Sequence, residues 1–117
     1  MDPLVIVEVT CPDRTVAEDI GRACVAAGLV ACANILPGAV SVFRWDGAVQ
    51  TEAEAILLMK TRADRFDAIC AEVAARHPYD MPAILALPVT AASPAFADWV
   101  RTETGGETVG HAAGAQP

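Results

Sequence analysis

The run His77-Pro78-Tyr79-Asp80-Met81-Pro82 places an imidazole, a phenol and a carboxylate on one short segment. An imidazole can ligate a metal or move a proton near neutrality, a carboxylate can attract a cation, and a phenol can donate to either. Two prolines frame the group. Pro78 pushes His77 out of the α region and ends a helix there, and Pro82 opens the apolar run that follows, since proline has no amide hydrogen to give a helix or a ladder. At a helix C-terminus an imidazolium is stabilised by the nearby carbonyls without any ligand. His77 therefore has two readings: a helix-end group of structural use, or a ligand turned with Tyr79 and Asp80 into one cleft.

Four cysteines at 11, 24, 32 and 70 form neither a C-x-x-C pair nor the regular spacing of a disulfide framework. Cys24 and Cys70 fall on apolar helix stripes, where a thiol behaves as a small hydrophobe. Cys32 lies between alanines in a strand, with no histidine near it in sequence to act as a base, and reads the same way. Cys11 ends the first strand. His111 belongs to the C-terminal stretch and is set aside. Asn34 either bonds backbone across a bulge or lines a cleft, and Lys60 either marks a strand's exit to solvent or faces the same cleft. Trp45, at a hairpin tip, is placed to pack on a neighbouring subunit. No Gly-rich phosphate loop, H-E-x-x-H or G-x-S-x-G occurs, so nothing argues for an enzyme.

These groups need elements to position them. Leu4-Val5-Ile6-Val7-Glu8-Val9-Thr10 is β-branched and mostly apolar, which suits a strand buried on both faces. Thr15 with Glu18 has the spacing of a capping box, and Val16, Ile20, Ala23, Cys24 and Ala27 recur at helical spacing up to Gly28. From residue 30 the chain is extended, is interrupted at Pro37-Gly38, and runs to Asp46-Gly47, the composition of a type I′ turn. A two-residue turn pairs Trp45 with Ala48, Phe43 with Gln50 and Ser41 with Glu52. At about 3.3 Å per residue such a hairpin reaches about 50 Å, well beyond a domain whose radius of gyration should be about 13 Å. It must bend, project, or pair with another chain. Asp64 is the expected cap of a second helix carrying Phe66, Ile69, Cys70, Val73 and Ala74, and residues 83 to 89 make a fourth strand. Ser93-Pro94 then opens a short last helix with Phe96, Trp99 and Val100. The order β-α-β-β-α-β plus a helix predicts an α+β, ferredoxin-like sandwich over residues 1–104, with 105–117 a flexible tail.

Composition bounds the partners. The chain of 117 residues suffices for one domain with its own core. Aromatic residues make up only 5 %, so Ala and Val do much of the filling and extra burial from a partner subunit is expected. A net charge of -7 with eight scattered basic residues argues against nucleic acid and favours cations. With no apolar run near eighteen residues and no signal segment, the expected location is cytoplasmic, away from membranes, with reduced thiols.

Ala31-Cys32-Ala33-Asn34, Arg44-Trp45-Asp46-Gly47, Lys60-Thr61 and the His77-to-Pro82 run with its following strand together resemble the CutA family, the divalent-cation tolerance proteins, over residues 5 to 99. The resemblance implies a homotrimer of PII-like architecture whose long hairpins extend the sheets of neighbouring subunits. It also implies weak binding of copper or another divalent metal, not required for folding. Family copper binding involves a cysteine near the end of strand one and a histidine pair before Pro-Tyr. Those positions are Val9 and Arg76-His77 here, so His77 is retained and Cys11, two residues on and on the same strand face, is the substitute. A family glutamate after the second proline is Ala83 here, with Asp80 the nearest carboxylate. The expected metal residues are thus His77, Cys11 and Asp80, and the expected cleft or interface residues Asn34, Trp45, Lys60 and Tyr79. The alternative is a PII-like trimeric sensor or adaptor that binds a small molecule in inter-subunit clefts. A third reading is a trimer of purely structural use.

Overall fold

In the computed structural model residues 3–105 are described, so the tail expected over 105–117 lies outside them but for Gly105. Strand β1 (Leu4–Cys11) sends Val5, Val7, Val9 and Cys11 into the core, while Ile6, Glu8 and Thr10 are only half-buried. One face of this strand is therefore sealed and the other is not, a correction to the strand buried on both sides. Helix α1 (Arg14–Ala26) covers the sealed face through Ala17, Ile20, Gly21 and Cys24. Its cap is Asp13, whose carboxylate accepts the Val16 N–H at 2.9 Å, and not Thr15. The expected capping-box glutamate, Glu18, instead pairs with Arg14 at 2.7 Å. Gly28, at φ +72°, ends the turn after the helix in a conformation that favours glycine.

Strands β2 (Cys32–Trp45) and β3 (Ala48–Arg62) form the long hairpin, with Asp46 and Gly47 both at positive φ. Trp45 pairs with Ala48, Phe43 with Gln50 and Ser41 with Glu52, the register that a two-residue turn dictates. The ladder slips between Leu36 and Ala39, at Pro37-Gly38. Beyond the last rung that β1 shares with β3, Cys11 with Ala55, the hairpin runs on as a two-stranded arm. The molecule measures 51 × 25 × 23 Å with a radius of gyration of 15.3 Å, larger than a compact chain of this length because the arm projects.

A 3-10 turn (Ala63–Arg65) leads into α2 (Phe66–Arg76). Asp64 sits in that turn and faces Arg62 at 3.5 Å, so it does not cap the helix; the extra turn moves the cap position to Arg65. Strand β4 (Ile84–Pro88) is one residue shorter at each end than expected, although the Ala83 carbonyl and the Val89 N–H still bond β1. Helix α3 (Pro94–Glu103) starts with proline in its first turn, and Ser93 occupies the cap without a side-chain bond.

The sheet order is β2-β3-β1-β4, antiparallel throughout, the split β-α-β arrangement. Val5, Val7, Val9, Leu57 and Met59 pack against Ile20 and Cys24 of α1 and Ile69 and Val73 of α2. Full burial of each such aliphatic side chain contributes roughly 1.5–3 kcal/mol. On the opposite face α3 covers only one end, through Leu4, Ala31, Ala97 and Val100. The remainder exposes Leu36, Leu85 and Leu87 at 48 %, 57 % and 44 %.

Candidate functional site

Because Pro78 bars a further helical turn, His77 takes an extended backbone (φ −84°, ψ 135°) and its ring turns back toward β1. The ring is buried. Nε2 lies 2.8 Å from the Thr10 carbonyl, and Nδ1 is 3.1 Å from the Tyr79 N–H. A carbonyl only accepts and an amide N–H only donates, so the proton belongs on Nε2 and the Nδ1 lone pair is engaged.

The Tyr79 ring stands edge-on to His77 with centroids 4.7 Å apart, and its hydroxyl donates to Glu54 Oε2 at 2.9 Å. Burial first, then the hydrogen bond to Glu54 and the charges of Glu54 and Glu52, push the Tyr79 phenol up to about 12. Glu54 itself is buried at the root of the arm. Tyr79 and Glu54, together with Thr10, Phe43, Trp45 and Glu52, line an open groove of about 790 Å³ between the arm and the turn at residues 78–83. Asp80 and Met81 line it as well.

Of the other expected site residues, Cys11, Asn34 and Lys60 lie outside the groove lining. Cys11 is fully buried on the helix-facing side, with its thiol 3.9 Å from the Val9 carbonyl, and burial with the charges of Asp13 and Glu54 raises it to about 11. Arg76, in place of the first family histidine, braces α2 and α1 through Glu72 at 2.8 Å and Asp19 at 3.3 Å. Asn34 accepts from Lys60 Nζ at 2.8 Å, so its partner is neither the backbone nor the groove, and Lys60 also lies 6.0 Å from the Phe96 ring. Both sit on the open sheet face. Trp45 remains 54 % exposed at the arm. Glu54, Glu52 and Phe43 were not among the expected residues. The hairpin register could have found them, since strand alternation puts residues 43, 45, 50, 52 and 54 on one face.

Among the described residues no group of three or more His, Cys, Asp or Glu side chains is disposed to hold a metal ion. A copper site on Cys11 and His77 does not fit: copper needs a thiolate and a free imidazole lone pair, whereas this thiol is buried and raised and both ring nitrogens are bonded within the chain.

A small mixed α/β domain with a four-stranded antiparallel sheet, a projecting arm and an acidic groove at its root is the class of protein so defined. Residues 5–103 match the family model of the CutA1 divalent ion tolerance protein, and the chain belongs to that family. It is 41 % identical over 100 residues to the divalent-cation tolerance protein CutA of Thermus thermophilus, covering 86 % of this chain and 97 % of that one. The chloroplastic CutA of Arabidopsis thaliana is 37 % identical over 102 residues, 87 % of this chain and 56 % of its own. The chain thus spans a little over half the length of the plant relatives. The crystal structure of CutA1 from Oryza sativa superposes with a TM-score of 0.85 at 37 % identity, covering 88 % of this chain and 94 % of that one. No helix among the described residues is long and apolar enough to cross a membrane.

Proposed function

We propose that this chain is a cytosolic divalent-cation tolerance protein of the CutA type, a homotrimer without catalytic activity that gathers divalent cations, copper among them, weakly at its acidic groove. The groove with Glu52, Glu54 and Asp80, in a chain of net charge -7, is the observation that carries this reading. Carboxylates lining a cleft focus a negative field and raise the local cation concentration without an ordered ligand set. Trimer formation is supported by the uncovered sheet face and by β2 and β4, the outer strands, whose free edges another copy can pair. Four free thiols suit a reducing compartment.

Titration with copper and with manganese at low and at high salt tests the reading. Binding should be weak, should fade as salt screens the groove, and should drop several-fold in Glu52→Gln. A tight, salt-insensitive complex of one copper per chain would overturn it. The alternative, a PII-like sensor or adaptor for a small molecule, is favoured by one observation: Phe43 and Trp45 give the same groove an aromatic wall. Saturable quenching of tryptophan fluorescence by a nucleotide or metabolite, kept in Trp99→Phe and lost in Trp45→Phe, with a matching thermal shift, would move the preference there.

A further inference from the structure

We propose that His77 is a positioning residue and not a metal ligand: its imidazole latches the turn after α2 onto β1 and so presents Tyr79 to Glu54 at the root of the arm. The consequence for the groove rests on the function proposed above; the latch itself does not.

Strand β4 pairs with β1 only as far as Ile84 with Val9, so the Thr10 peptide lies just past the last rung. A peptide unit largely shielded from water must find partners within the chain. The Thr10 N–H reaches the Ala83 carbonyl at 3.3 Å, and its carbonyl reaches His77 Nε2 at 2.8 Å. The imidazole therefore completes the β1 edge where β4 has ended. Its other nitrogen then holds the Tyr79 N–H at 3.1 Å, which fixes the Tyr79 backbone and, through the edge-on ring contact, the direction of the phenol. The phenol hydroxyl meets Glu54 at 2.9 Å, one residue beyond the Cys11–Ala55 rung, where β3 leaves β1 and the arm begins. One chain of contacts thus joins β1, the turn and the arm. Metal coordination at His77 would remove either the Thr10 or the Tyr79 bond.

Two measurements on the protein decide the assignment. In wild type, long-range nitrogen NMR of the His77 ring, told from that of His111 by comparison with His111→Ala, should show the Nε2-protonated form, unmoved by equimolar zinc. A zinc-induced shift of either His77 ring nitrogen, with or without loss of that proton, would overturn the proposal. The second readout uses Tyr79, the one tyrosine of the chain, so phenolate absorbance after a rapid alkaline jump reports it alone. Its midpoint should fall from about 12 toward the ordinary 10 in His77→Ala. In His77→Asn, whose amide oxygen can stand where Nδ1 stands, it should return part of the way. An unchanged midpoint in His77→Ala refutes the latch, and should that variant not fold, the wild-type zinc experiment decides alone. If wild type gathers no cations while both readouts hold, the function proposed above fails and the latch stands. If cations bind and Tyr79 does not respond to His77→Ala, the latch alone fails.

Discussion

At the residue scale, environment decides what each titratable group can do. Cys11 and Cys24 are both fully buried, and desolvation leads the causes that raise each to about 11. Thiolate is the reactive form, so neither should react at neutral pH in the folded protein. Cys32 and Cys70, only partly buried, should be modified first by a thiol reagent, and unfolding without reductant should expose all four. A count of two or none would contradict the free thiols. The sign of the pH effect follows from the same shifts. Folded values above the unfolded value of 9.0 mean stability that is complete below pH 9 and lost as pH rises toward about 11. Denaturant midpoints should accordingly fall across that window, and replacing Cys11 and Cys24 by alanine should flatten the fall while lowering stability at neutral pH by about 1 kcal/mol for each small cavity.

At the element scale, two glycines do opposite jobs. Gly21 lies on the sheet-facing side of α1, and a Cβ there would meet Ala33 Cβ at 3.1 Å and Leu57 Cδ1 at 3.3 Å. Alanine gains about 1 kcal/mol of helix propensity over glycine, but overpacking costs about 1–3 kcal/mol and Ala33 Cβ is rigidly attached to a strand. Gly21→Ala should therefore lower the urea midpoint with an unchanged slope. Gly38 has open space around it but sits at φ +83° in the break between Leu36 and Ala39. Its replacement by alanine should cost about 1–2 kcal/mol through backbone strain alone. A stabilised Gly21→Ala protein would show that α1 can withdraw from the sheet, contrary to the packing described.

At the scale of the whole molecule, the arm and the open sheet face argue for assembly. Leu85 and Leu87 on β4 and Leu36 on β2 share one face with the half-buried Ile6 and Leu58, a surface broken by Glu8, Asn34 and Lys60 that α3 reaches at one end only. Large apolar side chains left exposed together on one uncovered sheet face, with polar groups among them, mark association surfaces. Light scattering at micromolar concentration should give the mass of three chains. A charge at the centre of the face, Leu58→Lys, should yield monomers with the fold of the single domain retained in far-UV circular dichroism. A monomeric wild type would remove the trimer, and with it any cleft shared between subunits.

What the sequence by itself determined was set by contacts one to four residues apart. Asp46-Gly47 specified the turn and hence the β2–β3 register as far as Ala39 with Glu54, because positive φ at two successive positions leaves one compact way back; the slip at Pro37-Gly38 resets it beyond. Pro78 ended α2 at Arg76, and the strand and helix order followed from the periodicity of the apolar residues. Strand lengths and caps shifted by a residue or two, since hydrogen bonds to other segments compete with local signals there. The tertiary structure alone decided the site. Thr10 and His77 are 67 residues apart, and Glu54 and Tyr79 25 apart, so no local pattern could announce that a strand's orphaned carbonyl would claim one imidazole nitrogen. The same is true of Asn34 with Lys60, joined across the sheet. A side chain's type states which bonds it can make; only the packing of distant segments settles which of them it does make.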